Sequence, residues 1–124
     1  MDERTGNAES NVIEQLHQQL RKFAADRDWA QFHSPKNLAM ALSVEAGELL
    51  EHFQWLTAEQ SEKLSESDLA KVRLEMADVF LYLVSLSDKL GVDLMAAAFE
   101  KIELNAKKYP VELAKGSAKK YTEL

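Results

Sequence analysis

Two pairs of carboxylates carry the first chemical signal in this sequence. Glu45 and Glu48 are three residues apart, and so are Glu75 and Asp78. On an α-helix that interval puts both members of a pair on one face. At 100° per residue the first stripe reads Leu38, Ala41, Glu45, Glu48, His52, Trp55, and the second reads Glu75, Asp78, Tyr82, Ser85. Both stripes mix carboxylates with apolar or aromatic groups. Like charges at this spacing repel, and burying them unpaired is prohibitive. A cation removes both penalties. Hard oxygen donors, with no cysteine and few histidines in the chain, select Mg²⁺ over zinc, with Mn²⁺ as a substitute. The plainer reading is two acidic pairs on solvated helix faces. Glu51 points roughly 60° away from Glu48 and stays outside the ligand set.

Other residues could complete a binding site. Trp29 and Trp55 flank the second expected helix, where an aromatic pair could sandwich a base; core or subunit packing is the competing use. His33, in a loop, could donate to a base or phosphate, or be ordinary polar surface. His17 and His52 have weaker claims, though His52 shares the acidic stripe and could support a ligand. Tyr82 lies one turn beyond Asp78, so its hydroxyl could enter the site. The C-terminal stretch holds Lys107, Lys108, Lys115, Lys119 and Lys120 against Glu112, a local reversal in a chain of net charge -6. It serves either solubility or an anionic ligand. Asn105 could contact a base or sugar, or terminate its helix. No Walker loop, dinucleotide-binding glycine pattern or nucleophile elbow occurs, so phosphate chemistry would rest on metals and lysines.

The elements that must position these groups are helical. Residues 1–9 are polar and are expected to be flexible. Asn11 with Glu14 can form a capping box, and Val12, Ile13, Leu16, Leu20, Phe23 and Ala24 recur at helical spacing to about Asp26. Ser34-Pro35 starts a second helix, expected to reach Leu56. Residues 57–67 read as a polar connection with short helical pieces. A third, strongly apolar helix spans 68–90 and stops at Gly91; Asp93 caps a fourth, to about Lys107. The expected fold is all-α, a four-helix bundle over residues 10–107, followed by an irregular basic tail, 108–124. Apolar groups on several faces of the second and third helices imply that part of the core lies between subunits of an oligomer.

Composition narrows the function classes. At 124 residues, 46 % apolar and 29 % charged, the chain suits one soluble domain. Its acidity disfavours nucleic acid and anionic membranes as partners. The absence of cysteine excludes disulfides, thiolate zinc sites and a cysteine nucleophile. No signal-peptide core or membrane span is evident, so a cytoplasmic location is expected.

Taken together, the motifs resemble the all-α NTP pyrophosphatase superfamily, which contains MazG and the dCTP pyrophosphatases. Its pattern is a glutamate cluster on one helix and E-x-x-D on the next, here Glu45-Ala-Gly-Glu48 and Glu75-Met-Ala-Asp78. The dCTP pyrophosphatase branch is most similar, through HSPKNL, the FQW segment and the KKYP…GSAKKYT tail, over Phe23 to Leu124. The wider MazG pattern has a Glu before the first ligand where this chain has Val44, a departure that the dCTP branch shares. The resemblance implies that Glu45, Glu48, Glu75 and Asp78 hold Mg²⁺, and that a nucleoside triphosphate is cleaved between its α- and β-phosphates. It also implies that Trp29, His33, Trp55, Tyr82 and Asn105 line a base and sugar pocket, and that Lys108, Tyr109 and Lys120 approach the ligand. A tetramer built as a dimer of dimers, with sites shared between subunits, is implied too. Under this reading the attacking water is activated by a metal, or by Glu45 or Glu48 acting as catalytic base. The alternatives are a broad-specificity or dUTP-directed pyrophosphatase, and a non-catalytic metal-binding bundle.

Overall fold

In the computed structural model the backbone is described from Glu3 and the side chains from Val12 to Leu124. Met1 and Asp2, part of the N-terminal stretch expected to be flexible, lie outside the described residues. The helices are α1 (Glu3–Asp26), α2 (Pro35–Glu51), α3 (Ala58–Ser61), α4 (Glu66–Leu90), α5 (Leu94–Lys108) and α6 (Val111–Ala114). Short 3₁₀ turns occupy Ala30–Phe32 and Tyr121–Glu123, and no strand occurs among the described residues. The four long helices α1, α2, α4 and α5 are those expected; α3 and α6 are single turns. Helix α1 begins ahead of Asn11, which is therefore an interior residue and not its cap. The tail expected to be irregular contains α6 and the second 3₁₀ turn.

Local chemistry sets most of these boundaries. The Ser34 hydroxyl accepts from Asn37 N–H at 3.1 Å with Pro35 in the first turn of α2, as the sequence predicts. Ser65 caps α4 by accepting from Asp68 N–H at 3.1 Å, so the helix begins at Glu66, two residues before the start expected. Thr57 and Gln60 form a reciprocal capping box around α3. Gly91, at φ 64°, ends α4 in the left-handed conformation, and Asp93 caps α5. Helix α2 stops at Glu51, short of the expected Leu56. Beyond it His52, Phe53 and Leu56 donate to carbonyls three residues back, so the regular ladder lapses around Trp55.

The chain forms two compact units, Met1–Gly91 and Val92–Leu124. In the first, α2 packs along α4, and α1 packs on α4. Leu38 of α2 and Val84 of α4 are its most deeply buried side chains, joined by Ala24 and Val72. Many large apolar groups on the same helices remain exposed, among them Val44, Leu50, Leu74 and Met76, each more than half exposed. In the second unit, the tail returns to the end of α5. The Tyr109 and Tyr121 rings meet edge to face at 6.1 Å, and Lys108 Nζ lies 5.1 Å from the centre of the Tyr121 ring. No described helix is long and apolar enough to cross a membrane.

Candidate active site

The α2–α4 packing brings the carboxylate pairs together. Glu45 and Glu48 of α2 and Glu75 of α4 each offer an oxygen, and these atoms lie within 4.8 Å of one another. Glu45 and Glu75 are half-buried. One oxygen of each, Oε2, is buried without any hydrogen-bond partner. Among the described residues no Lys or Arg pairs with Glu45, Glu48, Glu75 or Asp78. Burial pushes the Glu45 carboxyl up to about 7, helped by a hydrogen bond to Glu48 and by repulsion from Glu48, Asp78 and Glu75. Unpaired buried oxygens and a carboxylate so disfavoured are what a divalent cation relieves, and the all-oxygen donor set fits Mg²⁺ or Mn²⁺.

Asp78 stands outside the closest trio but is near enough to destabilise the Glu45 anion. It also lines a groove of about 490 Å³, which falls within the usual range for sites of small organic ligands. One wall is a stripe of α4: Asp78, Leu81, Tyr82 and Ser85. The opposite wall is a stripe of α1: Leu16, Gln19, Leu20 and Phe23. Trp29 and His33 complete it from the connection between α1 and α2. Three of the predicted site residues, Trp29, His33 and Tyr82, are therefore gathered with Asp78. The α1 wall was missed in the sequence because its i, i+3, i+4, i+7 spacing is equally that of a core stripe.

Trp29 is placed by the way α1 ends. Asp28 N–H donates to Ala25 C=O at 3.1 Å and Trp29 N–H to Ala24 C=O at 2.8 Å, the paired bonds of a Schellman motif. Asp28 takes the left-handed position, φ 55°, that glycine usually fills. The Trp29 and Phe23 rings make the accompanying apolar contact, edge to face with centres 5.7 Å apart. The 3₁₀ turn at Ala30–Phe32 follows, and Asn37 Nδ2 donates to Phe32 C=O at 2.8 Å, fixing the backbone beside His33.

Trp55 is 87 % exposed and does not line the groove. Asn105, Lys108, Tyr109 and Lys120 belong to the second unit. There the Tyr109 N–H caps α5 on Asn105 C=O at 2.9 Å, and Lys120 precedes the closing 3₁₀ turn. His17 faces Glu14 at 3.5 Å and Asp88 at 3.9 Å, away from the carboxylates. Beside it Arg21 Nε donates to Asp88 Oδ2 at 2.8 Å, tying α1 to α4 and holding the Asp88 carboxyl below its ordinary range. A second hollow of about 110 Å³, walled by Arg21, Asp88 and Lys89, shares Leu20, His33 and Ser85 with the groove.

Comparison with known proteins identifies relatives of the chain. Residues 40–124 match the profile of the MazG-like family. The chain is 43 % identical over 115 residues to dCTP pyrophosphatase 1 of Homo sapiens, covering 91 % of this chain and 68 % of that protein. The Mus musculus protein of the same name gives the same figures. Among solved structures, a pyrophosphatase from Archaeoglobus fulgidus superposes with a TM-score of 0.75 at 39 % identity, over 80 % of this chain and 93 % of that one.

Proposed function

This chain belongs to the MazG-like family, and on that premise we propose that it is a magnesium-dependent pyrophosphohydrolase of dCTP or a modified dCTP, serving nucleotide-pool control. That it is a nucleotide pyrophosphohydrolase follows from its identity to the dCTP pyrophosphatases and its likeness to a solved pyrophosphatase. The observation that carries the finer reading is the junction at Asp78. A carboxylate cluster with unpartnered buried oxygens adjoins a groove bearing Trp29, His33 and Tyr82.

Glu45, Glu48, Glu75 and Asp78 would hold the cation. When bound, Mg²⁺ supplies charge neutralisation at the triphosphate and eases deprotonation of water. The chain's own part begins with a free oxygen of Glu45 or Glu48, which takes the proton of the attacking water. The water oxygen bonds to the α-phosphorus as the bond to the α–β bridging oxygen breaks, leaving dCMP and pyrophosphate. Trp29 offers a stacking face for the base, His33 and Tyr82 offer hydrogen bonds to base or sugar, and Asn105 is assigned to base or sugar on the strength of the family resemblance alone. Lys108, Tyr109 and Lys120 are assigned to the bound nucleotide on the strength of the family resemblance. Trp55 and the exposed apolar faces of α2 and α4 support a homo-oligomer, a tetramer built as a dimer of dimers, in which a neighbouring copy uses Trp55 against the base.

Glu48→Gln and Asp78→Asn should each abolish pyrophosphate release in Mg²⁺; full activity in either would remove that residue from the ligand set. A thermal-shift panel of dNTPs with Mg²⁺ tests the substrate. Stabilisation by dCTP above the others supports the assignment, and equal stabilisation by many nucleotides replaces it with a broad-specificity enzyme. No stabilisation by any nucleotide points instead to a non-catalytic metal-binding bundle.

A further inference from the structure

His52 follows the last residue of α2, four residues after Glu48 and seven after Glu45. Its backbone N–H closes the helix on Leu49 and Leu50, which fixes where the side chain leaves the chain. The imidazole Nε2 lies 3.9 Å from Glu75 Oε1, and about a quarter of each side chain is exposed, 27 % and 23 %. His52 is not among the three residues whose oxygens converge. It approaches Glu75 from α2, while the other oxygen of Glu75, Oε2, is buried and has no partner. Among the described residues no Lys or Arg pairs with any of the four carboxylates, and the His52 imidazole is the nitrogen group that stands beside Glu75.

A glutamate has three rotatable side-chain bonds, and a ligand that must be immobilised at the moment of binding loses affinity to that ordering. A donor that already holds one carboxylate oxygen removes part of the cost and leaves the other oxygen to the cation. We propose that His52 is a positioning residue for Glu75: its Nε2–H donates to Oε1, directly or across one water, and so presents Oε2 to a divalent cation. At 3.9 Å the pair is beyond direct hydrogen-bond length, a gap that a small side-chain rotation or a bridging water closes. The inference rests on the reading of the four carboxylates as a cation site.

The test measures Mn²⁺ binding to the full chain by calorimetry and by the electron paramagnetic resonance of free Mn²⁺, at pH 8 and without nucleotide. His52→Leu keeps the volume and removes the donor; it should weaken binding by about 10-fold, within the range for outer partners of metal ligands. His52→Gln retains a donor and should recover most of the loss, whereas His52→Asn, too short to reach, should not. Equal affinities for the Gln and Asn variants overturn the proposal, even if the Leu variant fails to fold. Glu75→Gln is the control for the underlying reading. If it binds Mn²⁺ like the parent, the cation site itself is wrong. If it loses Mn²⁺ while His52→Leu binds normally, the site stands and only the role of His52 falls.

Discussion

Lowering the pH from 8 to 6 should weaken divalent-cation binding about tenfold, and the magnitude comes from one carboxyl. Glu45 titrates at about 7 because burial and three neighbouring carboxylates disfavour its anion. Ligation needs the anion, so the apparent association constant is divided by one plus the ratio of protonated to free carboxylate. That divisor is about 1.1 at pH 8, about 2 at pH 7 and about 11 at pH 6. The loss from pH 8 to pH 6 equals about 1.4 kcal/mol. A carboxylate at its ordinary 4.5 would change binding by only ~3 % over the same range. The same protonation makes binding release about half a proton at pH 7. Calorimetry with Mg²⁺ in two buffers of different ionisation enthalpy reads the proton directly, and Glu45→Gln should abolish its release. Binding that is flat from pH 6 to 8, with no proton released, would refute the chain of reasoning. A second sign follows by linkage. The folded-state value lies above the unfolded one, so the contribution of Glu45 to apo stability is fully present below about pH 4.5 and is lost as pH rises through about 7. The melting temperature of the metal-free protein should therefore fall between pH 5 and pH 8, while the increment produced by saturating Mg²⁺ should grow.

Two further perturbations probe the scaffold. Asp28→Val places a β-branched residue at φ 55° and should cost about 1–2 kcal/mol, measured by urea unfolding. It should also weaken nucleotide binding, because the same turn seats Trp29 against Phe23; unchanged binding would separate the turn from the groove. Asp88→Asn removes the acceptor of Arg21 between α1 and α4 and should lower the melting temperature at pH 7. Since Arg21 depresses the folded-state value of Asp88, the stability it brings is present above the unfolded carboxyl range and is lost as pH falls through the folded value. The gap between parent and variant should consequently close in acid, and a gap that persists there would point to packing as its cause.

The parts of this protein legible in the sequence are those set by neighbours along the chain. Ser34-Pro35, Gly91 and Asp93 mark helix ends through bonds that span only a few residues, and all three act where expected. The acidic pairs were legible for the same reason, since three-residue spacing fixes a common face whatever the tertiary fold. What needed the fold was the pairing of faces. Leu16, Leu20 and Phe23 have the spacing of a core stripe, and only the packing of α1 on α4 turns that stripe into a groove wall with Gln19 beside it. Trp55 shows the converse. Helical phase puts it on the acidic stripe, but the ladder of α2 fails after Glu51 and leaves it 87 % exposed. A large aromatic in that position loses apolar burial worth roughly 2 kcal/mol or more, which a contact with a neighbouring copy or a bound ligand can restore. The Trp pair thus divides by cause. Trp29 is held at the groove by the Schellman turn of its own chain, whereas Trp55 lies beyond the end of α2 with its side chain exposed. If a neighbouring copy is what covers Trp55, Trp55→Ala should dissociate the oligomer or strip it of nucleotide affinity while leaving the groove around Trp29, His33 and Tyr82 folded, a split that sedimentation and nucleotide titration together resolve.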